Sequence, residues 1–163
     1  MVLTSFLRLI FLSFFALRRS KRLSRSALDT TQKLDSDIAI MHKDRPRHNQ
    51  SETTALIGDV EGKDCILFDD MVDTAGSLCN AAKALVEVGG AKNIFACASH
   101  GVLSGPALQR INDSVITELA FLDTIAPVDT ALCPKIKYLS VAPMFGEAIE
   151  RIYQEISISK LFR

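Results

Sequence analysis

Several large functional classes find little support in this sequence. Its four cysteines, Cys65, Cys79, Cys97 and Cys133, form no C-x-x-C pair. Three of them stand in apolar runs, where a thiol behaves as a small hydrophobe. Buried structural thiols are therefore expected, ahead of zinc sites or disulfides. No internal repeat is visible, and no low-complexity segment beyond a basic stretch near the start. Formal net charge is also missing: 19 Lys and Arg balance 19 Asp and Glu. The balance is uneven along the chain. Residues 1–28 hold six basic side chains and no acid, so the remainder carries 13 bases against 19 acids. A body with that acidic excess argues against nucleic acid as a main partner.

A long hydrophobic run is lacking too. Residues 1–17, MVLTSFLRLIFLSFFAL, are apolar but interrupted by Arg8, which leaves too short a stretch for a membrane span. No basic region precedes it and no small-x-small cleavage site follows, so a secretory signal fits poorly. The serine-bearing, basic residues 18–28 have the character of an organellar transit peptide. A short anchor with a basic flank and an altered chain start are the other readings. Localisation is accordingly cytoplasmic, or organellar if residues 1–28 act as a transit peptide. We place residues 1–33 outside the globular part and residues 34–163 within one domain.

What is present is a globular composition, 48% apolar and 23% charged. Strands and helices alternate every 20–25 residues, which implies right-handed βαβ units and an α/β fold with a mostly parallel sheet. Asp37–Met41 reads as a short buried strand. Residues 52–58 suggest a short helix, and 58–63 a turn. Strands are expected at 65–68, 93–98, 116–123 and 138–141. Helices are expected from Ser77 to the Gly89-Gly90 stop, over 106–112, and from Pro143 to about Ile156. In the last of these Met144, Phe145, Ala148, Ile149 and Ile152 share a face. His100 follows a strand end, where a single histidine reads more readily as structural or exposed than as catalytic.

The chemistry is concentrated in Cys65–Ser77, CILFDDMVDTAGS. Four apolar residues form a buried strand. Asp69 and Asp70 stand where that strand is expected to leave the sheet. Asp73, Thr74, Ala75, Gly76 and Ser77 make a small-residue loop before a helix. Strand, loop and helix start together suit a phosphate, because the first helical N–H groups lack internal partners and carry partial positive charge. Gly76 would let the backbone approach an anion, with the Thr74 and Ser77 hydroxyls as further donors. A Walker loop is excluded, since neither its spacing nor its lysine is present. Paired carboxylates can accept hydrogen bonds from adjacent ribose hydroxyls, with a divalent cation offsetting charge nearby. An Asp-capped turn after a strand would use the same residue types. Residues 42–52, HKDRPRHNQSE, make a basic loop held open by Pro46, which reads either as solvated or as an approach to polyphosphate.

This stretch resembles the thirteen-residue phosphoribosyl pyrophosphate (PRPP) loop of type I phosphoribosyltransferases and ribose-phosphate pyrophosphokinases. The runs KDRPRHNQSE, IGDVEGKDCILFDDMVDTAGSL, ASHGVLSGPALQRI, LSVAPMFGEAIERI and ISISKLF narrow the resemblance to the second half of the pyrophosphokinases, over residues 34–163. The resemblance implies a three-layer, mostly parallel fold of the type I phosphoribosyltransferase kind. It further implies Mg²⁺-dependent transfer of diphosphate from ATP to ribose 5-phosphate, giving PRPP and AMP. Lys43 and Arg45 then match the catalytic loop. Asp69 and Asp70 match the ribose-binding acids, and Asp73, Thr74, Ala75, Gly76 and Ser77 the 5-phosphate cradle. The family usually has threonine where Ser77 stands.

Relatives of this kind carry a preceding domain of the same fold, with the metal-binding histidine, an aspartate ligand and most of the ATP pocket. Residues 1–33 do not resemble it, and RRSKRLSRSALDTTQ replaces a glycine-bearing loop. No metal ligand is therefore assigned within this chain, and the resemblance implies an ATP site that is incomplete in this chain alone. The expected partners are ribose 5-phosphate, PRPP and ATP, together with a homo-oligomer or full-length family subunits. The other reading is a non-catalytic module that binds ribose 5-phosphate or PRPP, or regulates such subunits.

Overall fold

The structure, a computed structural model, describes residues 14–18, 37–43 and 54–162. Strands β1 (Phe14–Arg18), β2 (Asp37–Lys43), β3 (Thr54–Ile57) and β4 (Asp64–Val72) come first. Then follow helix α1 (Gly76–Glu87), β5 (Asn93–Gly101), α2 (Ala107–Asn112), β6 (Ile116–Leu122), β7 (Ile136–Leu139) and α3 (Ala142–Tyr153), with a closing 3₁₀ turn at Ile158–Phe162. All seven described strands form one sheet in the order β3-β2-β1-β4-β5-β6-β7. Every neighbouring pair is parallel except the edge pair β2–β3.

Register explains where the core lies. Parallel partners share a face, so Cys65–Ile94, Leu67–Ala96, Ala96–Leu119, Ala98–Phe121 and Leu119–Ile136 line one side of the sheet. Against that side pack Leu78, Ala82 and Leu85 of α1 and Ala107 and Ile111 of α2, forming one buried cluster. Burying each of the larger side chains contributes about 1.5–3 kcal/mol. The rings of Phe121 and Tyr138 continue the layer with centroids 6.0 Å apart. At Gly101 a Cβ would meet the Phe121 ring at 3.1 Å, so a side chain there would press on that ring. It turns back onto β4, the N–H groups of Val102 and Leu103 both donating to the Val72 carbonyl, at 3.0 and 3.1 Å.

Three expectations need correction. Phe14–Arg18 was assigned to a segment outside the domain, yet it pairs in parallel with β2 on one side and β4 on the other. Residues 54–57 form a strand rather than part of a helix, antiparallel to residues 40–43 of β2. A segment so short gains little from helical bonds, whereas the β2 edge supplies a full ladder. β4 extends to Val72 instead of ending at Phe68, because β5 pairs with it along its whole length. The shared apolar face of α3 is open to solvent, with Met144, Phe145, Ile149 and Ile152 exposed, as is Tyr153. Among the described residues, no helix is long and apolar enough to cross a membrane.

Candidate functional site

The second half of β4 is where the sheet changes character. Among the described residues, β1 pairs with β4 only as far as Leu67, while β5 continues beside it to Val72. Asp69 and Asp70 thus stand inside the strand, in the part open on one side. Both line a cleft of about 330 Å³ with Met71, Val72, Asp73, Thr74, Ala75, Ser77 and Leu78. The structure therefore brings together six of the seven expected sugar-phosphate residues. The Asp69 carboxylate accepts the N–H of Asp70 at 3.0 Å, an interaction that holds the first acid against the backbone of the second.

The seventh, Gly76, stands between the lining residues Ala75 and Ser77. The left-handed backbone sits one residue earlier, at Ala75, with φ 58° and ψ −3°, and Gly76 is the first helical residue. A Cβ on Gly76 would lie 3.3 Å from Arg110 Nη1, so the missing side chain makes room for that guanidinium. The start of α1 has no side-chain cap and no acid in its first turn. Its first internal bond runs from Cys79 N–H to the Ala75 carbonyl at 3.0 Å. The N–H groups of Gly76, Ser77 and Leu78 precede that bond and have no helical partner, which is the arrangement that receives an anion.

Asp73 is braced from below. The Ser104 hydroxyl donates to its carboxylate, and the Ser104 N–H donates to its carbonyl at 3.1 Å. A carboxylate engaged in this way supports the loop; it cannot donate to a phosphate oxygen. Arg110 Nη1 donates to the Thr74 carbonyl at 2.9 Å. Neither Ser104 nor Arg110 was expected from sequence, although both lie in the run ASHGVLSGPALQRI that carried part of the resemblance.

Lys43 closes β2, and its backbone is paired with Thr54. The C-terminal ends of parallel strands share a sheet edge, so Lys43 lies on the edge that carries the cleft. With β1 between β2 and β4, the two strands stand about 10 Å apart. Arg45 lies outside the described residues, as does the rest of the basic loop beyond Lys43. Among the described residues, no group of three His, Cys, Asp or Glu side chains is placed to hold a metal ion. Burial pushes the Cys65 thiol up to about 11 and that of Cys97 to about 12, so both act as hydrophobes at neutral pH.

The model of the phosphoribosyl synthetase-associated domain family matches residues 20–163. The chain belongs to that family. A ribose-phosphate pyrophosphokinase from Clostridium tetani is 56% identical over 130 residues, which cover 80% of this chain and 40% of that protein. One from Caulobacter vibrioides is 54% identical over 129 residues, with 78% and 41% covered. The crystal structure of phosphoribosylpyrophosphate synthetase from Mycobacterium smegmatis superposes with a TM-score of 0.82 at 29% identity, covering 94% of this chain and 50% of that one. Adenine phosphoribosyltransferase from Saccharomyces cerevisiae shares the fold alone, with a TM-score of 0.51 at 17% identity and coverages of 68% and 69%. The expected type I phosphoribosyltransferase-like α/β fold is thus the fold of this family member. The chain spans about 40% of the length of the curated relatives it matches.

Proposed function

We propose that this chain is the sugar-phosphate-binding part of a ribose-phosphate pyrophosphokinase. One observation carries the proposal: an uncapped helix start and two adjacent carboxylates open into the same cleft. The 5-phosphate of ribose 5-phosphate docks on the N–H groups at the start of α1, with the Thr74 and Ser77 hydroxyls beside it. The pentose hydroxyls donate to Asp69 and Asp70. Bound in this way the sugar presents its 1-hydroxyl outward. In the transfer that the family relatives' names imply, that oxygen bonds to the β-phosphorus of ATP. The bond from that phosphorus to the oxygen kept by AMP breaks, and the hydroxyl proton leaves. Lys43, with Arg45, neutralises charge on the moving diphosphoryl group.

Mg²⁺, as a companion of ATP, would supply further charge neutralisation. The described acids do not by themselves make up an ion's ligand set, and no step is assigned through the metal. Assembly with a second family subunit follows from the same proposal. The exposed apolar face of α3 suits a subunit contact, which light scattering measures.

The test uses the full chain. Ribose 5-phosphate at a hundred times its Kd should stabilise the fold by about 2.7 kcal/mol. Asp69→Asn combined with Asp70→Asn should abolish that stabilisation, and its persistence would remove the ribose assignment. With ATP and Mg²⁺ added, release of AMP supports the enzyme. Stabilisation without AMP supports the non-catalytic module, whose site is the same cleft. Lys43→Ala should keep the sugar-phosphate stabilisation and lose any AMP release.

A further inference from the structure

We propose that Arg110 is a positioning residue for the phosphate loop: it holds the Thr74 carbonyl so that the next N–H, that of Ala75, faces the cleft. In a trans peptide the C=O of one residue and the N–H of the next point in opposite directions, and no described peptide bond is cis. Arg110 Nη1 takes the Thr74 carbonyl at 2.9 Å, from α2, while Thr74 and Ala75 line the cleft. Fixing the carbonyl on the α2 side therefore fixes the N–H on the other.

The loop needs such an external hold. Ala75 adopts φ 58° without being glycine, a conformation that costs about 1 kcal/mol and persists only where its surroundings impose it. Two attachments impose it here. Ser104 binds both the backbone and the carboxylate of Asp73, and Arg110 binds Thr74 immediately after. Arg110 is itself anchored. Its N–H donates to the Pro106 carbonyl at 3.0 Å, and its carbonyl accepts the Cys79 thiol at 3.6 Å, one turn into α1. The space left by Gly76 admits the guanidinium beside the helix start. The result is a cation on the far side of the loop, which adds its field to that of the helix N-terminus.

The ligand part of this inference rests on the sugar-phosphate proposal, so the experiment has one arm without ligand. Backbone ¹⁵N relaxation of the unliganded protein should show lower order parameters at Ala75 and Gly76 in Arg110→Ala, with the wild-type values largely restored in Arg110→Lys. Unchanged order parameters in Arg110→Ala would overturn the inference. In the second arm, inorganic phosphate and ribose 5-phosphate should each bind about tenfold more weakly to Arg110→Ala. Arg110→Lys should recover part of that loss, while the unliganded melting temperatures of the two variants stay alike. A loss of affinity that simply follows a fall in unliganded stability, with no recovery by lysine, would leave Arg110 a structural residue and overturn the inference. Failure of the wild-type chain to bind either anion would sink the sugar-phosphate proposal, and the relaxation arm would still decide the role of Arg110.

Discussion

The Nδ1 atom of His100 lies 2.7 Å from Thr124 Oγ1. That hydroxyl spends its one proton on the Ser99 carbonyl, at 2.9 Å. It must then accept from the ring, which places the proton of the neutral imidazole on Nδ1 and leaves Nε2 bare. Long-range ¹H–¹⁵N spectra should show this tautomer in the wild-type protein. Thr124→Val should shift the population toward Nε2–H, and a wild-type ring already protonated at Nε2 would contradict the geometry.

Lys135 closes the end of α2. Its ammonium donates to the carbonyls of Ile111, Asn112 and Ser114 at 3.2, 2.9 and 2.7 Å. Ile111 and Asn112 end α2 and Ser114 follows it, so the cation meets the negative end of the helix. Lys135→Met keeps the stem and removes the donors. Urea unfolding should show a loss of about 2 kcal/mol with an unchanged m-value.

Gly89 and Gly62 should respond very differently to alanine. A Cβ on Gly89 would sit 2.5 Å from Val60 Cγ2 and 2.7 Å from the Leu85 carbonyl oxygen. The backbone atom cannot rotate away, so Gly89→Ala should cost about 3 kcal/mol. At Gly62 nothing lies within 4 Å, and only the left-handed φ of +67° opposes a side chain. Gly62→Ala should cost about 1 kcal/mol. Equal melting temperatures for the two variants would be inconsistent with this packing.

Asp123 joins the end of β6 to the start of α3. The Ser140 hydroxyl, and then the Val141 N–H at 2.8 Å, hold its carboxyl below the ordinary carboxylate range. A folded pKa below the unfolded one stabilises above the unfolded value, about 3.9, and that stability is lost as pH falls through the folded value. Amide spectra below about pH 4 should therefore show Val141 loosening. Asp123→Asn should flatten that acid response at Val141.

Removal of residues 1–18 should be poorly tolerated. β1 lies between β2 and β4, so its loss leaves two unpaired inner edges, a known route to aggregation. A shortened chain that melts like the full one, and stays monodisperse in light scattering, would argue against that strand position.

The elements that follow Cys65 were largely legible from their own residues. The apolar run Cys65–Phe68, the three- and four-residue spacing from Leu78 to Leu85, and the Gly89-Gly90 stop placed β4 and α1 to within a few residues, because helix period and turn chemistry are local properties. The acids and the small-residue loop could be named as a group from the sequence, and six of the seven line one cleft. What sequence could not decide depends on partners distant along the chain. Phe14–Arg18 becomes a strand because β2 and β4 flank it, and β4 reaches Val72 because β5 continues beside it. The left-handed backbone falls on Ala75, and Gly76 yields space to Arg110, 36 residues from the Thr74 carbonyl it holds. A sequence names the groups able to hold a phosphate; only the packing of α2 against the start of α1 decides which way the loop's amides face.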